Sequence, residues 1–153
     1  LQHGDIVIEV TGGSPTQPTG RSLIFLSSTL ERFKNPVIPT SFCRLFRPQD
    51  DLVAPLLACH LDHLYRSGGT WEYQNQSTGI ANFQTKYFLE SEQVIMPDSA
   101  ILQAFSELVM PLFLRANNSE NIALTHTRDL LLPKLMSGEI CLREAEGIVE
   151  TAG

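Results

Sequence analysis

The chain has 153 residues, of which 42% are hydrophobic, and it carries 17 acidic against 11 basic side chains for a formal net charge of −6. That length suits one domain with an appendage and is too short for a complete barrel enzyme or a two-domain dehydrogenase. The hydrophobic content excludes wholesale disorder, and the negative charge argues against a histone-like coat for nucleic acid.

Cysteine usage and the absence of targeting features indicate the compartment. The three cysteines are widely spaced without a C-x-x-C motif, which favours a reducing environment over a disulfide framework. No continuous run of about 18 apolar residues occurs, so the sequence predicts no membrane span. The first residues lack the basic and apolar regions of a signal peptide. We therefore expect a cytoplasmic protein.

The acidic excess is uneven along the chain. Residues 1–90 hold 7 basic and 8 acidic side chains, a net charge of −1, whereas residues 91–153 hold 4 and 9, a net charge of −5. The first part is therefore nearly neutral, and the local distribution of its charges matters more than the total.

Short alternating apolar segments in the first half predict β-strands. Ile6, Ile8 and Val10 alternate within residues 5–10, and similar segments follow over residues 22–27 and 40–46. Residues 11–20 are rich in glycine, proline and small hydroxyl side chains, which predicts a loop.

One helix and a long polar segment come next. Apolar residues at helical spacing predict a helix over residues 52–64, capped by Asp50 and ended by Ser67, Gly68 and Gly69. Residues 70–84 are polar and aromatic and are predicted to form a loop with at most one helical turn. A short turn over residues 87–89 and a short strand over residues 93–96 are predicted to follow.

The pattern changes at Pro97 and Asp98, after which a broad apolar stripe predicts one long helix, or two in tandem, over residues 98–136. Pro111 should kink or split this helix, because an internal proline costs about 3 kcal/mol. Asn117, Asn118 and Ser119 form a second weak point.

These elements predict an α+β fold with three parts. A compact mixed α/β domain spans residues 1–96, a helical arm spans residues 97–140, and a tail of unassigned role spans residues 141–153. The apolar stripe of the arm is wide enough to pack on its own domain or to form a coiled coil with another chain. Interface candidates on the arm are Leu102, Phe105, Leu108, Val109, Leu112, Leu124, Leu131 and Leu135.

The catalytic motifs expected of DNA-acting enzymes are absent from the sequence. Asn35-Pro36-Val37 lacks the second proline and the aromatic residue of adenine methyltransferases, and no Gly-x-Gly cofactor loop occurs. Pro97-Asp98 lacks the following Glu-x-Lys of metal nucleases, and Gly12-Gly13-Ser14 lacks the lysine of a Walker loop. We therefore predict a non-catalytic protein without a cofactor.

One cluster of potential metal ligands is present on the predicted helix. Cys59, His60, Asp62 and His63 place two imidazoles one helical turn apart. The alternative is a helix with two ordinary histidines, of which His60 faces the core. We expect no metal, because no third and fourth ligand is indicated.

Two polar segments offer candidates for contact with nucleic acid. The glycine-containing loop provides backbone N–H groups and small hydroxyls that suit a phosphate backbone, although a flexible hairpin connection is the alternative. Glutamine and asparagine bond bidentately to adenine edges, although residues 74–78 equally suit a polar surface loop. The DNA-binding candidates are Ser14, Thr16, Arg21, Arg44, Arg47, Gln74, Asn75, Gln76, Ser77 and Thr78.

Four segments carry a family resemblance. Residues 127–140 (TRDLLLPKLMSGEI) strongly resemble the end of the specificity subunit of type I restriction–modification systems. Residues 4–9, followed by residues 12–15, resemble the opening of a target recognition domain in that family. Residues 77–82 resemble its glycine-containing loop, and Met96-Pro97 resembles its junction into the helix. The similar segments follow the family's order across nearly the whole chain.

This resemblance implies a role in DNA recognition. Specificity subunits hold two target recognition domains, each reading one half of a split target, and two long helices that pair as an antiparallel coiled coil and dock methyltransferase subunits. One domain with one arm would be half a subunit, either a natural short form or a fragment, that self-associates through the arm.

The partners expected from the resemblance are double-stranded DNA, the methyltransferase subunit, the restriction subunit through the complex, and a second copy of the chain. The alternative is a helix-mediated assembly module without DNA binding of its own.

Overall fold

Two small antiparallel sheets are built from the strands of the first half of the chain. The computed structural model describes residues 1–14, 16–77, 80–116 and 119–140, without the side chains of residues 76, 77, 80 and 119–124. Sheet A has the order β3-β1-β4, and its strands in chain order are β1 (Ile6–Glu9), β3 (Ser22–Ile24) and β4 (Cys43–Phe46). Sheet B has the order β2-β6-β5 and comprises β2 (Thr11–Gly12), β5 (Gln74–Ser77) and β6 (Ile80–Phe83).

Five α-helices and one short 3-10 helix are described along the chain. They are α1 (Ser27–Leu30), α2 (Val53–Arg66), a short 3-10 helix (Gly69–Tyr73), α3 (Thr85–Ser91), α4 (Ser99–Ala116) and α5 (Ser119–Ser137). The combination of antiparallel sheets with separate helices confirms the predicted α+β class.

The alternating residues of β1 form the centre of the core. Ile6 pairs with Ile24 on one side and with Phe46 on the other, and both Ile6 and Ile8 are completely buried. Burying such a side chain contributes about 1.5–3 kcal/mol relative to leaving it exposed. The alternation of apolar residues in β1 therefore corresponds to a face of the strand that is buried in the core.

Helix α2 packs through a face of small side chains. Ala54, Ala58 and Leu61 are buried at helical spacing, which allows a close approach to β3. Asp50 accepts the Leu52 N–H at 2.9 Å in the turn that leads into the helix. Gly68, at φ +80°, ends it in the left-handed conformation that favours glycine.

Residues 70–84 were predicted to form a loop with at most one helical turn; the structure has that turn but replaces the loop with a β-hairpin. The segment forms the 3-10 helix and the hairpin of β5 and β6, because Tyr73 and Phe83 are buried while polar side chains occupy the exposed positions between them. The predicted turn over residues 87–89 belongs to α3, whose Phe88 is buried. Residues 93–96 form no strand.

Pro111 does not split the C-terminal helix as predicted, and α4 ends at Ala116. Asn117 and Asn118, which belong to the second predicted weak point, lie outside the described residues. Asp98 accepts the Ile101 N–H at 2.9 Å and caps α4, which continues through Pro111. Met110 and Phe113 pack against the core on either side of the proline, and such tertiary packing offsets the lost hydrogen bond.

The chain divides into two compact units, Leu1–Leu114 and Arg115–Gly153. Within the first unit, α4 buries Leu102 and Ser106. In the second unit, α5 ends where Glu139 N–H donates to the Lys134 carbonyl at 2.9 Å and Gly138 adopts φ +74°. The predicted division at residues 96 and 97 stays a prediction, and the tail over residues 141–153 lies outside the described residues.

Helix α4 also meets, by length and composition alone, the criterion for a helix that could cross a membrane. The sequence predicted no membrane span because α4 is not continuously apolar: two serines, one glutamine and one glutamate interrupt it. Core helices pass the same test, and the burial of Leu102 and Ser106 in the first unit shows that one face of α4 serves the core.

Candidate nucleic-acid interface

Sheet B brings the two polar segments of the sequence side by side. Thr11 of β2 and Asn75 of β5 both pair with Asn82 of the central strand β6, from opposite sides. Along this register, the last residues of β2 and of β5 lie at the same end of the sheet. Two segments about sixty residues apart in sequence therefore form one surface.

The described side chains on the outer face of sheet B are polar and uncharged. Asn75 and Asn82 are exposed and Thr11 is half-buried, whereas the neighbouring Ala81 and Phe83 of β6 are buried. This alternation follows from the pleat of a sheet with one face on the core. Thr11 Oγ1 donates to Asn82 Oδ1 at 3.1 Å, which orients the asparagine amide.

The glycine-containing loop closes as a tight turn. Ser14 and Gln17 exchange backbone hydrogen bonds at 2.8 and 3.2 Å, and Ser14 Oγ accepts the N–H groups of Thr16 and Gln17 at 3.3 and 3.1 Å. Gly13 has φ +77°, and a Cβ there would lie 2.9 Å from the Gln17 carbonyl oxygen. The turn holds Ser14 and Thr16 exposed at its tip.

Gln74 joins this loop to strand β5. Its Oε1 accepts the Thr19 N–H at 2.9 Å and the Thr19 hydroxyl at 3.3 Å, and Thr19 is completely buried. Next to it, a Cβ on Gly20 would lie 3.0 Å from Thr70 Cγ2 and 3.1 Å from Phe83 Cε2. Close packing at Gly20 and the hydrogen bonds of the Gln74 side chain therefore hold the loop against the start of the hairpin of β5 and β6.

The three candidate arginines differ in whether they form ion pairs within the protein. Arg21 binds Glu9 through two contacts of 3.0 and 2.9 Å, and Arg47 binds Asp5 through two contacts of 2.7 and 2.8 Å. Arg44 is exposed, and no ion pair with it is found among the described residues. Arg44 is therefore the candidate arginine best placed to meet a phosphate without first breaking an internal ion pair.

Asp5 is fully buried and depends on its partners. The hydrogen bond from Arg47 holds the pKa of this carboxyl below its ordinary value of 3.8, with help from the Gln2 N–H at 2.7 Å and against the opposing effect of burial. Because the pKa is lowered in the folded state, this stabilisation is present above the unfolded pKa and is lost as the pH falls through the folded one.

An Asp5→Asn variant should therefore be about 2 kcal/mol less stable near neutral pH, since charge-assisted hydrogen bonds to a buried group are lost. The difference from wild type should shrink in acid, below the pKa of Asp5. Urea unfolding of both proteins at neutral pH and in acid measures the loss of stability and its dependence on pH. Glu9→Gln, in the more exposed ion pair, is the control and should cost less than about 1 kcal/mol. Equal stability of Asp5→Asn and wild type at neutral pH would contradict this role for Asp5.

Three candidates lie wholly or partly outside the described residues. Thr78 lies outside the described residues, as do the side chains of Gln76 and Ser77, although the backbone of both belongs to β5. Sequence reasoning missed Thr11 and Asn82, which complete the exposed face of sheet B. The available signal was Asn82 itself, a polar residue between the apolar Ala81 and Phe83, which is typical of a strand with one buried face.

The interface candidates of the arm separate into inward and outward residues. Leu102 is buried in the first unit, Phe105 and Val109 are half-buried, and Leu108 and Leu112 are 70% and 60% exposed. In α5, Leu131 is buried and Leu135 is half-buried. The side chain of Leu124 lies outside the described residues. Leu108 and Leu112 are thus the α4 candidates most available to a partner.

The histidine cluster of α2 forms contacts with a carboxylate. His60 Nε2 lies 2.6 Å from Glu92 Oε1, and the Tyr73 hydroxyl donates to Glu92 Oε2 at 2.5 Å, which raises the pKa of Tyr73. Burial raises the pKa of the Cys59 thiol, which favours its protonated form, a poor ligand. The described part of the chain contains no group of three potential metal ligands.

An apolar cavity of about 230 Å³ lies beside this cluster, lined by Phe46, Leu57 and Phe88 among others. Its polar lining residues are already engaged, since His60 binds Glu92 and Arg47 binds Asp5. The cavity therefore lacks the free convergent polar groups that orient a small-molecule ligand.

The chain is similar to specificity subunits of type I restriction enzymes, which confirms the resemblance predicted from the sequence. Over 58 residues, 37% of the chain, it is 41% identical to the MjaIX specificity subunit of Methanocaldococcus jannaschii. Over 65 residues, 41% of the chain, it is 40% identical to the HindI specificity subunit of Haemophilus influenzae.

These similarities are partial. The matched stretches cover 13% and 14% of the lengths of the two relatives. No family model and no solved structure matches the chain.

Proposed function

We propose that the chain is a non-catalytic, sequence-specific DNA recognition module of a type I restriction–modification complex. The observation that carries this proposal is the exposed amide and hydroxyl face of sheet B, next to the tight turn that presents Ser14 and Thr16. Such side chains hydrogen-bond to base edges and phosphates. The similarity to specificity subunits supports the same role.

The candidate DNA contacts differ in whether a side chain must first give up a hydrogen bond within the protein. Ser14, Thr16, Arg44 and Asn75 are exposed and can meet DNA as they stand. Arg21, Arg47 and Gln74 must first exchange an internal hydrogen bond for one to DNA, which reduces their net contribution. Gln76, Ser77 and Thr78 complete the proposed contacts on the hairpin.

The proposed complex assigns the chemistry to partners. Methyl transfer belongs to a methyltransferase subunit and DNA cleavage to a restriction subunit, while this chain directs both to one half of a bipartite target. Residues 1–96 form the reader and residues 97–140 form the assembly arm, which also pairs with a second copy. The exposed Leu108 and Leu112 suit such docking, and the complex operates in the cytoplasm.

A mobility-shift titration with mixed DNA duplexes tests this function. The chain alone should bind weakly, and addition of the methyltransferase subunit of the same system should give tight binding that falls steeply with salt. Absence of binding in both conditions would overturn the proposal. Methylation or nicking by the isolated chain would contradict its non-catalytic part.

The second candidate function is an assembly module without DNA binding of its own. It is favoured by the exposure of Leu108 and Leu112, which together leave an apolar strip on α4. Two results together would support this alternative. The chain would bind the methyltransferase subunit, and the remaining subunits would bind DNA with the same affinity whether or not this chain is present.

A further inference from the structure

Two asparagines face each other on the exposed side of sheet B. Asn75 and Asn82 are direct partners in the antiparallel register of β5 and β6, and both side chains are exposed. Directly opposed residues have Cβ atoms about 4.5–5.5 Å apart on the same face of a sheet. The hairpin therefore presents two amides side by side.

This spacing suits neighbouring base pairs. A two-stranded ribbon fits the major groove of DNA, where each base exposes its hydrogen-bonding edge. Base pairs follow one another at about 3.4 Å along each strand, so two amides about 5 Å apart can reach adjacent pairs. None of the residues in β2, β5 and β6 is charged, so the described polar side chains of this face, those of Thr11, Asn75 and Asn82, act through hydrogen bonds.

Thr11 orients one of the two amides. Its hydroxyl donates to Asn82 Oδ1 at 3.1 Å, so one lone pair of that oxygen is used and the second remains available. The Nδ2 group keeps its donors. An amide with one free acceptor and one free donor matches the N6 donor and N7 acceptor of adenine, a combination that guanine does not present.

We propose that the outer face of sheet B reads adjacent base pairs in the major groove, with Asn75 and Asn82 each contacting an adenine edge and Thr11 positioning Asn82. The inference rests on the proposed function and adds to it the reading element, the groove and the preferred base. Thr11 and Asn82 are specificity residues that sequence reasoning did not select.

The test is selection of bound sequences from a randomised duplex library by the complete complex with its methyltransferase subunit. Wild type should select adenine at two neighbouring positions. Asn75→Ala and Asn82→Ala should each lower the preference for adenine at one position about tenfold or more. Thr11→Val should weaken the preference for adenine at the position that Asn82 contacts. Asn35→Ala, at an exposed asparagine outside sheet B, is the matched control and should leave the selected sequence unchanged.

A second variant separates reading from folding. Asn82→Asp keeps the shape of the side chain but leaves only acceptors, so selection at that position should move from adenine towards cytosine, whose N4 group donates. A structural role for Asn82 would not produce this change. Unaltered selection by Asn82→Asp and both alanine variants would overturn the inference, as would an equal loss on all sequences, which indicates a phosphate contact. Absence of any selection by wild type would instead overturn the proposed function.

Discussion

Replacing Phe88 by alanine should destabilise the first unit by about 3–5 kcal/mol, the usual cost of deleting a buried aromatic ring. Phe88 is only 5% exposed. Its ring centroid lies 5.0 Å from that of Tyr73 in an edge-to-face arrangement, 5.2 Å from Phe83 and 6.2 Å from Phe46. Urea unfolding followed by circular dichroism measures the loss.

The same substitution should impair DNA recognition, because Tyr73 directly precedes β5 and Phe83 ends β6. Loosening this aromatic cluster releases both ends of the hairpin that carries Asn75 and Asn82. Tyr87→Ala is the matched control, since its ring lies 5.6 Å from Tyr73 but the residue is 44% exposed. It should cost about 1 kcal/mol. Equal destabilisation by the two variants would show that Phe88 is not the centre of the cluster.

Replacing Leu102 or Leu108 by aspartate should affect different properties, although both leucines lie on α4. The first change should reduce stability and the second should reduce assembly. Leu102 is 7% exposed and Leu108 is 70% exposed. Leu102→Asp places an unpaired carboxylate in the core and should cost more than about 4 kcal/mol, enough to unfold the first unit. Leu108→Asp should leave the unfolding midpoint nearly unchanged.

The expected defect of Leu108→Asp is in assembly. We expect wild type to sediment as a dimer and to bind the methyltransferase subunit, and the variant to sediment as a monomer with weakened binding of that subunit. Analytical ultracentrifugation and a pull-down of the purified subunits measure the two effects. A wild-type chain that stays monomeric at high concentration would contradict self-association through the arm.

Local patterns predicted the elements whose signals are contained within a few residues. The alternation of Ile6, Ile8 and Val10 predicted β1, and the Ser67-Gly68-Gly69 stop predicted the end of α2. In each case the residues that carry the signal also carry the structure, through burial of one face or through a left-handed glycine.

The hairpin of β5 and β6 was missed because its stabilising contacts are distant in sequence. Gln74 is held by Thr19, 55 residues earlier, and β6 pairs with β2, so the polar composition of residues 74–77 resembles that of a loop when it is considered alone. The pairing of Arg47 with Asp5, 42 residues apart, was hidden for the same reason.

The candidate site was predicted in part. Polarity indicated Asn75, Ser14 and Thr16, which the structure places in the exposed part of the first unit. The alternation around Asn82 indicated an exposed strand position, but its placement beside Thr11 and Asn75 required knowledge of the strand register. A one-residue shift in that register would have turned a different set of side chains outward.

The internal ion pairs have a consequence for how such a module searches for its target. In the described part of residues 1–114, carboxylates of the same chain bind the side chains of Arg21, Arg47, Arg66 and Lys86. Each phosphate that a protein neutralises contributes about −0.9 to the logarithmic dependence of affinity on salt. A reader whose cations are paired internally releases fewer counterions, so we expect it to dwell only briefly on arbitrary DNA. We then expect its residence at a site to depend mainly on matched bases.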